Sequence, residues 1–198
     1  MAKETALQEW VRREGKIVSS EFLRVDGFLN HRIDPAFMEE AGKQLAAKFR
    51  EDRVSCVLTA EASGNVIAYE VARRLGAYAL YAKKGRAATM DHPIVRSVRS
   101  PTKGTLVELT VSRDYLNPRA RVLIVDDFLY QGHTSAALAD MVRETDAALI
   151  GFGFVIAKEF GEGRQRLAQY AVPVVSLVSV VRLDPESGEI VFGDGSGN

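Results

Sequence analysis

Cysteine, histidine and tryptophan are scarce in this 198-residue chain, which has one Cys, three His and one Trp. Cys56 has no partner within the chain, so an internal disulfide is excluded, and the run VSCVLTA around it suits a small buried hydrophobe. His31, His92 and His133 share no metal-ligand spacing, which predicts no zinc site. Neither charge sign dominates: 26 Lys and Arg meet 26 Asp and Glu, for a formal net charge of +0. A dedicated nucleic-acid binder carries a basic surplus, so the balance argues against that partner class. No apolar run reaches the length needed to cross a bilayer. The first residues, MAKETALQEWVRREGK, are charged throughout and do not resemble a signal peptide. The expectation is a cytoplasmic protein with no membrane partner. What is present is a length suited to one α/β domain and an apolar fraction of 46%, sufficient for a real core.

Along the chain, KETALQEWVRREG predicts a short helix closed by Gly15. Asp34-Pro35 opens another, since the carboxylate can cap and proline fits the first turn. Phe37, Met38, Ala41, Leu45 and Phe49 then recur at helical spacing. VSCVLTA and RVLIVDD read as buried strands, with AYALYAKK, ALIGFGFVIAKEF and VPVVSLVSVVRL as further strands. NVIAYEVARRLG and TSAALADMVRET are helices between them. LVELTV alternates as a half-solvated antiparallel strand does. Strands alternating with helices predict an α/β fold, a mostly parallel sheet flanked by helices, as a single domain over residues 1–198. The polar stretch from Lys83 to Thr105 is expected to form a mobile loop with a β-ribbon, and GDGSGN a loose tail.

The densest chemistry lies in VLIVDDFLYQGHTSAALADMV, where an apolar strand runs into Asp126 and Asp127. The acids are expected to end their strand, with a turn there, because consecutive strand residues otherwise point to opposite faces. Ligands of a doubly wound sheet gather at the carboxyl ends of its strands. LYQGHTS then brings backbone N–H groups and the hydroxyls of Thr134 and Ser135 to a helix start, an anion-binding arrangement. Carboxylates repel phosphate, so the acids need another task. Accepting hydrogen bonds from the two adjacent hydroxyls of a ribose fits. A P-loop reading fails because neither EASGNVIA nor REGKIVSS supplies G-x-x-x-x-G-K-[ST]. A receiver-type acid pair follows the first strand of its sheet, whereas this one comes late. Simple capping of the next helix leaves the glycine, two hydroxyls and helix start a coincidence. Gly151 and Gly153 do not make a dinucleotide fingerprint, since Ile156 stands where the third glycine belongs.

Residues 122–135 resemble the phosphoribosyl pyrophosphate (PRPP) motif of type I phosphoribosyltransferases: apolar strand, two acids, short loop with glycine, then threonine. FLRVDGFLNHRIDPAFM, TAEASGNVIA, VDDFLYQGHT and FVIAKEF are similar in order and spacing to the bacterial xanthine branch of that family, over nearly the whole chain. One departure stands out. The family at large often has Ala-Thr-Gly-Gly-Thr where this chain has Tyr130, Gln131, Gly132, His133 and Thr134.

The resemblance implies the type I phosphoribosyltransferase fold with a small N-terminal hood, mainly residues 1–50 with a C-terminal segment, over the base site. It implies transfer of the phosphoribosyl group from PRPP to xanthine, giving xanthosine 5′-monophosphate and pyrophosphate. Another purine base (adenine, hypoxanthine or guanine) and a non-catalytic PRPP-binding regulator are the alternatives. On this resemblance the catalytic pair is Asp126 and Asp127, holding the ribose hydroxyls and favouring positive charge that develops on the ring. Tyr130, Gln131, Gly132, His133 and Thr134 cradle the 5′-phosphate. Glu61, Ala62, Ser63 and Gly64, with Lys83 and Lys84, receive pyrophosphate. Leu23, Asn30 and Lys158 face the base, and a donor-only lysine suits carbonyl oxygens better than an amino group. Phe128 or Phe160 stacks on the purine. The segment from Arg86 to Lys103, with Arg96 and Arg99, closes over PRPP. Mg²⁺ is expected to bind with PRPP and pyrophosphate rather than in a protein cage, and the enzyme is expected to be a homodimer.

Overall fold

A computed structural model describes residues 4–85, 90–99 and 105–193. Arg86 and Lys103, and most of the GDGSGN tail, lie outside the described residues. Thr5 opens α1 (Ala6–Glu14) with reciprocal caps: its hydroxyl accepts the Gln8 N–H and the Gln8 side chain accepts the Thr5 N–H. Two very short strands, β1 (Lys16–Ile17) and β2 (Leu23–Arg24), pair antiparallel in a stretch where the sequence shows no regular pattern. Helix α2 (Pro35–Lys48) begins as its sequence predicts, with Asp34 accepting the N–H groups of Ala36 and Phe37. Its residues Phe37, Met38, Ala41 and Leu45 are all buried.

The remaining strands are β3 (Cys56–Ala60), β4 (Tyr78–Lys84), β5 (Pro93–Arg99), β6 (Leu106–Ser112), β7 (Arg121–Leu129), β8 (Ala148–Lys158), β9 (Val174–Asp184) and β10 (Glu189–Phe192). They form one sheet in the order β10-β9-β8-β7-β3-β4-β6-β5. The five central strands are parallel. The edges β10, β6 and β5 are antiparallel; β5, from the stretch expected to hold a ribbon, pairs with β6, the LVELTV strand expected to be antiparallel. Helices α3 (Gly64–Leu75), α4 (His133–Glu144) and α5 (Gly163–Ala168) connect successive parallel strands. Along β7 the buried residues alternate between two cores. Leu123 and Val125 join Phe37, Leu45, Ile67 and Val71 on one face. Val122 and Ile124 join Leu138, Met141, Phe152 and Phe154 on the other. A continuous apolar run therefore reads as a strand covered on both sides. Among the described residues no helix is long and apolar enough to cross a membrane.

The site-forming feature is a change of direction in the sheet. From β3 the chain builds outward to β4, whereas from β7 it builds the other way to β8 and β9. The β3–β7 ladder registers Cys56 with Val122 through Leu58 with Ile124 and goes no further. Both strands continue past that point, to Ala60 and Leu129. The two strands thus part at their carboxyl ends, and a crevice opens where doubly wound sheets bind ligands.

One expectation needs correction here. Strand β7 does not end at Asp126 and Asp127; it runs through both to Leu129, paired with β8 as far as Leu129–Ala157. The long β8 keeps supplying backbone partners, and a ladder needs N–H and C=O groups rather than apolar side chains.

Candidate active site

The two acids serve different sides of the crevice. Asp127 is 7% exposed, and its Oδ2 accepts the Asn30 side-chain amide at 3.1 Å, reaching toward the N-terminal segment. Asp126 Oδ1 accepts the Asp127 backbone N–H at 3.0 Å. The same oxygen lies 2.7 Å from where a Cβ on Gly64 would stand, so it faces the start of α3. Burial holds the Asp126 pKa well above the ordinary carboxylate value; the negative charge of Asp127 pushes the same way, and Lys84 opposes both. The native chain therefore binds this proton more tightly than the unfolded chain. Its stabilising contribution is complete below the unfolded pKa of about 3.9 and is lost as pH rises through the raised native value. Asp126→Asn removes that loss. Urea denaturation at a series of pH values is expected to show the variant gaining on the wild type as pH rises above about 4. Parallel pH profiles would contradict this.

Two helix starts flank the pair. At α4, Gly132 (φ +73°) occupies the N-cap without a side-chain cap, and the Ala136 N–H bonds the Gly132 carbonyl. A side chain at 132 would also meet the Gly163 backbone within 3.2 Å, so the turn requires glycine twice over. The loop is braced on α5: Tyr130 O accepts the Gly163 N–H and Gln131 O accepts Arg166 Nε, both at 2.7 Å. His133 and Thr134 form the first turn of α4, where backbone donors and the positive dipole end suit a phosphate. Glu61, Ala62, Ser63 and Gly64 lead from β3 into α3, which also lacks a side-chain cap at Ser63. The Glu61–Ala62 peptide is cis. Glu61 ties this loop to β4, donating its N–H to Ala82 O and accepting the Lys84 N–H at 2.6 Å.

Lys84 acts on Asp126, but its neighbour does not converge on the same point. Lys83 lines a separate cavity of about 370 Å³ with Tyr81, Met90, Asp91 and Tyr115. The pleat is the reason, since consecutive strand residues face opposite sides. In the basic ribbon, Arg96 pairs with Glu144 at the end of α4, which Arg113 shares.

On the other flank, Lys158 ends β8 only 8% exposed. Its Nζ donates to Glu21 O at 2.7 Å and lies 3.9 Å from the centre of the Tyr130 ring. Burial lowers its pKa, while the Glu21 carboxylate pulls it back up. Phe22 and Phe128 stand 5.4 and 5.9 Å from the same ammonium. Phe160 is exposed and meets Tyr130 edge-on at 5.9 Å. Leu23 is buried in the apolar core beside α1. The structure thus gathers Asp126, Asp127, Lys84, Asn30, Lys158 and the 130–134 and 61–64 loops at one end of the sheet. Sequence reasoning missed Glu21, Phe22 and Thr59. Thr59 Oγ1, on β3 behind Gly64, and Asn65 Oδ1 are buried without a hydrogen-bond partner among the described residues. The only sequence signal for Thr59 was its place one residue before the strand end.

A family model described as a phosphoribosyl transferase domain matches residues 34–184. The chain is 38% identical over 187 residues to the xanthine phosphoribosyltransferase of Bacillus mycoides (strain KBAB4), covering 94% of each. To the protein of that name from Bacillus cereus (strain G9842) it is likewise 38% identical over 187 residues, again covering 94% of each chain. Among crystal structures, adenine phosphoribosyltransferase from Trypanosoma brucei, in complex with AMP, pyrophosphate and ribose-5-phosphate, superposes with a TM-score of 0.73 at 18% identity, covering 90% of this chain and 81% of the other. The Giardia lamblia enzyme complexed with 9-deazaadenine gives a TM-score of 0.73 at 20% identity, covering 89% and 98%. These two likenesses concern the fold.

Proposed function

Because the chain belongs to the phosphoribosyltransferase family and has its type I fold, we propose that it transfers the phosphoribosyl group of PRPP to xanthine, giving xanthosine 5′-monophosphate and pyrophosphate. The observation that carries this reading is the acid pair standing between two helix starts without side-chain caps at the sheet's switch point. The choice of xanthine rests on the names of the Bacillus relatives and on Lys158, whose donors suit a base rich in carbonyl oxygens.

In this reading the first turn of α4 with residues 130–134 holds the 5′-phosphate, and residues 61–64 with Lys84 hold pyrophosphate. Asp126 and Asp127 accept hydrogen bonds from the ribose hydroxyls. As the bond to pyrophosphate breaks, the ribose ring gains positive charge, and the two carboxylates stabilise it more than the neutral ground state. Asn30 and Lys158 orient the base, and Phe128 or Phe160 stacks on it. No activated nucleophile is required for such a direct displacement. Among the described residues no cluster of three His, Cys, Asp or Glu side chains could hold a metal. Two carboxylates and an incoming pyrophosphate fit Mg²⁺ that arrives with its substrate, where it would offset the charge of the leaving group. The proposal includes a cytoplasmic homodimer; the exposed Tyr78 and Tyr115 line one cavity at the opposite end of β4 from Lys84.

Thermal melting tests the binding half of the proposal. PRPP with Mg²⁺ at about 100 times its dissociation constant stabilises a single-site protein by about 2.7 kcal/mol. For a chain of this length the expected rise in Tm is about 5–10 °C. No rise with PRPP and Mg²⁺ together would contradict the assignment of the 130–134 loop.

A further inference from the structure

We propose that Tyr130 is a positioning residue for the base: its ring face, with the Glu21 carbonyl, fixes the Lys158 ammonium so that a remaining N–H is presented to a carbonyl oxygen, which sets the preference for oxopurines over aminopurines. The inference rests on the reading of Lys158 as a base contact and adds the device that aims it.

A lysine on four rotatable carbons is a compact charge with little directionality of its own. Here that freedom is removed on two sides. One donor is spent on Glu21 O at 2.7 Å, and the Tyr130 ring takes the ammonium face at 3.9 Å, well inside cation–π range. Phe22 and Phe128 complete an aromatic wall around it. With three donors on the ammonium, what remains points away from both partners.

Tyr130 is held in turn. Its carbonyl accepts the Gly163 N–H at 2.7 Å. Its ring fills the space over Gly161, where a Cβ would come within 2.5 Å of Cδ2. One residue thus has its backbone in the phosphate loop and its ring on the base-facing lysine. A fixed ammonium rewards a carbonyl acceptor. It penalises an amino group, whose hydrogens would leave a largely desolvated charge unpaired.

The test is steady-state kinetics on full-length Tyr130→Phe, Tyr130→Leu, Lys158→Met and the Tyr130→Leu/Lys158→Met double variant, with xanthine, hypoxanthine and adenine as bases and PRPP varied separately. Melting curves accompany each, and Tyr130→Met replaces the leucine variant if that one does not fold. The expected result is that Tyr130→Phe, which keeps the ring face, retains the wild-type ratio of kcat/KM for the preferred oxopurine over adenine. Tyr130→Leu raises KM for the preferred oxopurine about tenfold and narrows its advantage over adenine, while kcat and the KM for PRPP move less than about threefold. The double variant is no worse than Lys158→Met alone, because the tyrosine acts through the lysine. Equal losses toward base and PRPP, equal behaviour of Phe and Leu, or additive effects in the double variant would overturn the proposal. If Lys158→Met itself leaves base KM and selectivity unchanged, the underlying assignment of Lys158 fails, and this proposal with it. A normal Tyr130→Leu beside a crippled Lys158→Met overturns only the role of Tyr130.

Discussion

Asp127→Asn is expected to lower kcat by about 100-fold or more while moving Tm by only a few degrees. The two side chains are nearly isosteric, and an asparagine oxygen can still accept the Asn30 amide that Asp127 Oδ2 takes at 3.1 Å. The structural loss is therefore confined to a weaker hydrogen bond, on the order of 1 kcal/mol, or about 2–4 °C for a protein of this size. What disappears is the negative charge. A buried carboxylate, 7% exposed, interacts strongly with a ribose ring that turns cationic as pyrophosphate departs. That interaction exists only in the transition state, so its removal falls on kcat. Matched losses of stability and turnover would instead make Asp127 a structural tie to Asn30.

Gly64→Ala is the second large effect, and it strikes both folding and activity. A Cβ at 64 would overlap the buried Thr59 Oγ1 and come within 2.7 Å of Asp126 Oδ1. Thr59 belongs to β3 and Asp126 to β7, so neither obstacle is the loose end of a flexible chain. Overpacking of this kind costs about 1–3 kcal/mol, a Tm fall of roughly 5 °C. Relief by shifting Asp126 misplaces a reacting group, and a displacement near 1 Å costs about 100-fold in kcat/KM. Gly27→Ala is the control, since nothing lies within 4 Å of its Cβ position, and it is expected to change stability by less than about 0.5 kcal/mol. Gly64→Ala with unaltered kinetics would show that the crevice between β3 and β7 is not where the reaction occurs.

The sheet was legible because burial on both faces writes itself into composition: Cys56, Val57 and Leu58 in one strand and Val122 to Val125 in the other are apolar and shared between the two cores. Asp34-Pro35 was equally readable, since a cap acts within a few residues. The extent of β7 was not, because hydrophobic patterning stops at Val125 while the backbone ladder continues to Leu129. Strands β1 and β2 are two residues each and β10 is four, too short for a period to show. Within the site, the alternation that separates Lys83 from Lys84 was available from the pleat. The bonds from Asn30 to Asp127 and from Lys158 to Glu21 span 97 and 137 residues, and no local pattern encodes such pairings.

The most direct measurement of the central claim is pyrophosphate release from PRPP with Mg²⁺, in parallel reactions with xanthine, hypoxanthine, guanine, adenine and no base. The account predicts release that depends on base and is far faster with xanthine than with the others. Release with no base-dependence, or none at all from a protein that PRPP still stabilises, would contradict it and leave a PRPP-binding protein on this fold.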